Sequence, residues 1–210
     1  MQCANLRADR NLGHYWERQF CVLAARRGNF IMLHQSGREQ AAMGFYLAGR
    51  EWRRVILPDV TLWSPRRTCC EHHEVKHKEP LRARDHAGSP GYYGLERYRF
   101  EALLEFARRT GTDVHYTIHN HRLAGGRGSR VNSIDHWFTA NVCDLDGKWR
   151  WRNFAQSWVN GESRTVEICY WPETVFQPLI QHFASNGPTP SGGGAAMAST
   201  APEIHLAQAA

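Results

Sequence analysis

Two stretches that otherwise pattern as core strands are interrupted by charge. Asp59 follows Pro58 inside "VILPDVTLW", residues 55 to 63, and Glu74-Val75-Lys76 stands inside "CCEHHEVKHK", residues 69 to 78, with the turn residues Ser64-Pro65-Arg66-Arg67 between them. A proline inside a strand needs a special reason, because it removes a ladder donor. On a strand, residues two apart point to one side, so Glu74 and Lys76 share a face and Val75 packs on the other. If the two runs pair as a hairpin, Asp59 lies across the sheet from Glu74. Two carboxylates a few ångströms apart repel each other unless one is protonated or a cation lies between them. A hard divalent ion, Mg²⁺ or Mn²⁺, resolves that conflict, and a backbone carbonyl near Val75 adds a further oxygen ligand. A lysine beside such a cluster either helps a water lose its proton or stabilises charge on a phosphate. The bland alternative is a solvated hairpin: "EHHEVKHKE" is polar along both faces, as an edge strand often is.

The elements that would position these residues can be read from periodicity. "HYWERQFCVLAARRG" predicts a helix closed by Gly28, with Trp16, Phe20, Leu23 and Ala24 on one apolar face. "NFIMLHQ" predicts a short strand, and residues 41 to 49, 52 to 63 and 70 to 78 predict three extended runs separated by turn chemistry. "YYGLERYRFEALLEFARRTG" predicts a second helix ended by Gly111, with Leu95, Leu103, Phe106 and Ala107 facing the sheet. "DVHYTIH" alternates Val114, Tyr116 and Ile118 against His115, Thr117 and His119, as a strand does. Its place after a crossover helix allows it to run parallel to a neighbour. Residues 132 to 143 predict a helix. The expected fold class is therefore α/β, a mixed sheet of four to five strands with helices packed on it.

Pro58-Asp59 followed fifteen residues later by Glu74-Val75-Lys76, on adjacent strands and after a helix, resembles the PD-(D/E)XK nuclease superfamily. The order helix, strand meander, crossover helix, strand matches that family's core. The resemblance implies a restriction-endonuclease-like three-layer core over residues 12 to 120. Outside it, the N-terminus over 1 to 11 is expected to be flexible, residues 121 to 183 to form an extension packed on the core, and the Gly/Pro/Ala/Ser-rich tail over 184 to 210 to be disordered. The resemblance also implies a metal-dependent nuclease in which Asp59, Glu74 and the Val75 carbonyl hold Mg²⁺ or Mn²⁺ and Lys76 orients or deprotonates the water. DNA would be the substrate. Among such enzymes the small junction-resolving and VRR-type endonucleases are the nearest in kind, and these tend to act as homodimers. Many members carry a glutamate near the metal on the first helix, and at about 100° per residue Glu17 falls inside the arc of Trp16, Phe20 and Ala24. An acid there is costly unless paired, so Glu17 is expected to join the site. Arg99, on the second helix, is expected either to touch the scissile phosphate or to form a local ion pair with Glu96.

Other features are weaker. The net charge of +6 suits a polyanionic partner without demanding one. "HNHRLAGGRGSR" follows the last core strand, where open sheets tend to place ligands, and offers His119, Arg127 and Arg130 to phosphates, or is a surface loop. "CCEHH" contains zinc-ligand types, but neighbours on a strand point opposite ways and no second Cys/His pair stands at structural-zinc spacing. His72, His73 and His77 are expected to face solvent, the alternative being the nucleic acid. Trp149, Trp151, Trp158 and Trp171 are expected in core or interface rather than stacked on bases. The six cysteines form no spaced framework, the N-terminus has no apolar secretory segment, and no run approaches the roughly 18 apolar residues of a membrane helix. The expectation is a cytoplasmic protein with reduced thiols and no membrane contact.

Overall fold

The computed structural model describes residues 6–33, 45–48, 51–54, 57–64, 70–81, 90–123, 132–159 and 162–185. In chain order the elements are α1 (Leu6–Ala25), β1 (Phe30–Leu33), β2 (Phe45–Ala48), β3 (Glu51–Arg54), β4 (Val60–Trp63), β5 (Cys70–Lys78), β6 (Tyr92–Glu96) and α2 (Arg97–Thr110). They continue with β7 (Asp113–Asn120), β8 (Trp137–Asn141), α3 (Val142–Leu145), β9 (Trp151–Val159), β10 (Glu162–Pro172), β11 (Gln177–Pro178) and α4 (Leu179–Ser185). Six strands form the main sheet in the order β1-β4-β5-β7-β8-β11. β1, β4 and β5 are antiparallel neighbours, whereas β5 and β7 run parallel, joined through α2 as the crossover predicts.

Helices cover both faces, so the central strands are buried on both sides. Seven of the eight β7 residues, Val114 to Asn120, are buried. On one side α1 and α4 pack Trp16, Phe20, Leu179 and Phe183 against Val60, Leu62, Val75 and Trp137. On the other, α2 and α3 pack Phe100, Leu103, Leu104 and Leu145 against Val114, Tyr116, Ile118 and Ala140, with Trp171 of β10. Each fully buried Leu or Phe in these two cores contributes about 2 kcal/mol of transfer free energy. The apolar stripe read from α1 is the buried one: Trp16, Phe20 and Ala24 are wholly enclosed. Gly111 ends α2 with φ 65°, a left-handed conformation that glycine adopts without a Cβ penalty.

The α/β class holds, with differences in detail. The sheet has six strands rather than four or five because β8 and β11, from beyond residue 120, extend it. The expected run over 52 to 63 divides into β3, paired with β2 in a separate two-stranded sheet, and β4 in the main sheet. Tyr92–Glu96 is a strand, not the first turns of α2, because β10 supplies its backbone partners. Gly94 permits that pairing: a Cβ there would lie 2.6 Å from Tyr170 and 2.8 Å from Ile168. Residues 137 to 141 are likewise a strand held by β7, flanked by a short 3₁₀ turn and α3, where local pattern predicted a helix. α1 begins at Leu6, within the segment expected to be loose, and α4 runs through Ser185. The rest of the expected tail lies outside the described residues, as does the Pro65 turn.

Candidate functional site

β4 and β5 bring the two hairpin acids together. The register pairs Val60 with His73, so Asp59, one residue earlier, meets the sheet beside Glu74. Glu74, Lys76 and Asp59 project to the α2 side, while Val75 goes to the α1 core. Burial is deep, with Asp59 6% and Glu74 0% exposed. Asp59 Oδ2 accepts the Val75 amide at 2.9 Å and the Lys76 ammonium at 3.2 Å. Lys76 also pairs with Glu74 Oε1. Pro58, buried next to Asp59, gives no N–H to the sheet, which leaves the chain free to bend as it enters β4.

The second helix completes the cluster. Arg99, in the first turn of α2, donates to Glu74 through Nε at 2.5 Å and through an Nη at 2.7 Å, a bidentate grip. The same Nη reaches Asp59 Oδ1 at 3.3 Å. Glu96 ends β6, and Arg99 turns from α2 to the sheet, where Glu74 and Asp59 receive it. Thus one guanidinium bridges both acids, with Lys76 as the second cation.

The electrostatics separate the two carboxyls. Burial, then the Glu74 charge, pushes Asp59 up to about 6, against the pull of Lys76 and Arg99. Burial also opposes the Glu74 charge, but Arg99 and Lys76 outweigh it and hold Glu74 down at about 2. For Lys76, the attraction of the two acids overcomes burial and raises its pKa, so it stays protonated. Two carboxylates here can ionise together only with cations between them.

Glu17 lies on α1 with its carboxylate 3.0 Å from His14 Nδ1, and its negative charge is felt at Asp59. His119 is placed elsewhere: fully buried, its ring stacks on Trp16 at 3.5 Å between centroids and bonds His77 through a 2.9 Å Nδ1–Nδ1 contact. Arg127 and Arg130 fall outside the described residues. The expectation of solvent-facing histidines fails for His73, fully enclosed, and His72, nearly so, because both faces of β5 are covered there, while His77 is half-buried. Trp171 is core, Trp149 packs against it, and Trp151 stacks on Tyr170, as expected for structural tryptophans. Sequence patterning singled out Arg99, as a basic residue on the sheet-facing side of a helix, but not as the cation that bridges the two acids.

The residues present fit a hard divalent ion on their donor chemistry. Asp59 and Glu74 offer carboxylate oxygens, the ligand class such ions select. Arg99 is a cation already received by both acids at once, so the two carboxylates converge on a single positive group. Among the described residues no helix is long and apolar enough to cross a membrane.

No family model and no curated protein matches the chain. Among solved structures, it is similar to Archaeoglobus fulgidus Hjc, a Holliday junction resolvase from an archaeal hyperthermophile. The identity is 14% and the TM-score 0.45, with 82% of this chain and 95% of that one covered. At that score the likeness carries no functional weight, and what the chain does must be read from its own side chains.

Proposed function

We propose that the chain is a metal-dependent nuclease of the PD-(D/E)XK kind, hydrolysing DNA phosphodiesters. One observation carries this reading: Asp59, at the entry to β4, and Glu74, on the adjacent β5, lie buried together on one side of the sheet, joined by one guanidinium, with Lys76 in contact with both. Asp59 and Glu74 would hold Mg²⁺ or Mn²⁺, with Glu17 and the Val75 carbonyl as further oxygen donors. Such an ion supplies neutralising charge to a phosphate and acidifies an attacking water. Lys76, protonated and anchored by two acids, acts as a donor that positions the water or the phosphate rather than as a base. Arg99 adds a fork suited to a phosphate oxygen at the edge of the same acids. The basic balance of +6 favours a polyanionic substrate.

The test is cleavage of duplex, four-way and single-stranded DNA with Mg²⁺, Mn²⁺ or chelator, by wild type, Asp59→Asn, Glu74→Gln and Lys76→Ala. Cutting that requires the ion and falls about 100-fold or more in each variant is expected, the scale of losing one electrostatic group at a reacting centre. Undiminished cutting by Glu74→Gln would remove the assignment. One feature favours a rival, a nucleic-acid-binding protein of the same fold without hydrolysis: the Arg99 fork already satisfies both Glu74 oxygens. That rival predicts binding with a steep salt dependence and no cleavage under any divalent ion.

A further inference from the structure

The opposite face of β5 carries a second cluster of ligand-type side chains, far from the acids of the hairpin in chemistry and in direction. Alternation along the strand sends Glu71 and His73 toward the α1 and α4 side, away from Glu74 and Lys76. The parallel register sets His115 of β7 directly beside His73. α4 then lays His182 over both, its ring 4.5 Å from that of His115 and 6.0 Å from that of His73. Glu71, His115 and His182 are all buried, and each offers a donor atom within 4.8 Å of the other two.

From this geometry we propose that Glu71, His115 and His182 form a metal site for a borderline divalent ion of the zinc class. It stands independently of the nuclease reading. The donor set is two imidazole nitrogens and one carboxylate oxygen, which selects zinc-like ions over Mg²⁺. Spacing agrees with it. At bonds of about 2.0–2.1 Å, tetrahedral ligand atoms stand ~3.3 Å apart. Glu71 Oε2 lies 3.2 Å from His182 Nε2 and 3.9 Å from His115 Nε2.

The surrounding groups orient these ligands. Glu71 keeps its other oxygen against His73 Nε2 at 3.3 Å, and His73 is in turn fixed by a 2.8 Å bond between Nδ1 and Thr117. His182 presents Nε2 to the cluster while Nδ1 faces the Gln177 amide at 3.5 Å, and that amide, turned over, accepts the Nδ1–H of a ring that ligates through Nε2. Such outer partners set tautomer and aim at metal-bound histidines. His115 and His182 also line a cleft of about 440 Å³ with Asp113, Thr139, Asn141 and Gln177. Three protein ligands at the edge of a polar cleft make a site of the open type, with the fourth position available to water or a small ligand. The ion also ties α4 to the sheet.

The experiment titrates the full-length chain with Zn²⁺, and with Co²⁺ as a spectroscopic probe, after removal of adventitious metal. One equivalent is expected to bind in wild type and in Asp59→Asn, with Co²⁺ absorption typical of nitrogen and oxygen ligands and without thiolate charge transfer. Glu71→Gln and His182→Gln are expected to lose that equivalent. Gln177→Leu, at an exposed position, keeps the fold and is expected to weaken Zn²⁺ about 10–100-fold, as loss of an outer partner does. A wild-type chain that binds no Zn²⁺, a Co²⁺ spectrum dominated by thiolate, or affinity unchanged in Glu71→Gln would overturn the site. Should Glu71→Gln and His182→Gln not fold, the Gln177→Leu affinity decides: no weakening rejects the site. Retained Zn²⁺ binding in Asp59→Asn beside lost DNA cleavage would separate this site from the hairpin acids.

Discussion

Replacing Arg99 with methionine asks directly whether Asp59 and Glu74 form a cation site. Methionine keeps an unbranched stem on α2 but removes every donor. Glu74 loses both prongs of its clamp and Asp59 loses the 3.3 Å contact at Oδ1. Lys76 then stands alone against two acids, Glu74 fully enclosed and Asp59 6% exposed. Removing one partner of a buried ion pair costs about 3–5 kcal/mol. With Lys76 retained and the Arg99 side chain 19% exposed, the low end applies, about 3 kcal/mol. For a chain of this size that is a fall of roughly 6–12 °C in Tm. A divalent ion that takes the vacated place restores stability by mass action, about 2.7 kcal/mol at 100 times its Kd, close to the whole loss. The assay is urea unfolding followed by tryptophan fluorescence, in chelator and in Mg²⁺, the ion least suited to the imidazole cluster on the other face. Arg99→Met is expected to regain most of its stability in Mg²⁺, and wild type to gain much less because its guanidinium competes. A variant that is destabilised yet indifferent to Mg²⁺ and Mn²⁺ would show that the acids serve only as partners for arginine, and the reasoning would fail.

Three further outcomes follow from the same structure. Asp59, raised to about 6 in the fold from its ordinary value of 3.8, holds a proton more tightly folded than unfolded. Its contribution is therefore full below pH ~4 and lost as pH rises through ~6, on the order of 3 kcal/mol, and the difference between wild type and Asp59→Asn in pH-dependent unfolding should show that loss. His77 and His119 run the other way. Burial first, and neighbouring histidines second, lower them to about 4 and about 3, so their contribution is present above pH ~6.5 and lost as pH falls through those values. Acid melting of His119→Phe should be flatter than that of wild type, and an unchanged acid limb would contradict the burial of this pair. Gly94→Ala forces a Cβ into Tyr170 and Ile168 and shifts the carbonyl that accepts the Tyr116 hydroxyl, at a cost of about 1–3 kcal/mol. A Gly94→Ala chain as stable as wild type would argue against the β6–β10 pairing.

Much of the hairpin was legible because it is local. Pro58-Asp59 stands at the entry to β4 and Glu74-Val75-Lys76 on the neighbouring β5, and strand alternation decides which side Glu74, Val75 and Lys76 take. The apolar stripe of α1 was legible for the same reason, since helical period depends only on residues within a few turns. The strands at Tyr92–Glu96 and Trp137–Asn141 were not, because their backbone partners on β10 and β7 come from distant chain and overrode the helical pattern.

The sequence by itself determined that two acids and a lysine would share one face, and that helices would flank a mixed sheet. Only the tertiary structure decided that Arg99 would bridge those acids, and that Glu71, His115 and His182 would meet on the other face. The physical reason is separation along the chain. Local periodicity says which way a side chain points, whereas which side chains meet depends on strand register and on how helices dock, and those are settled by the packing of the whole core.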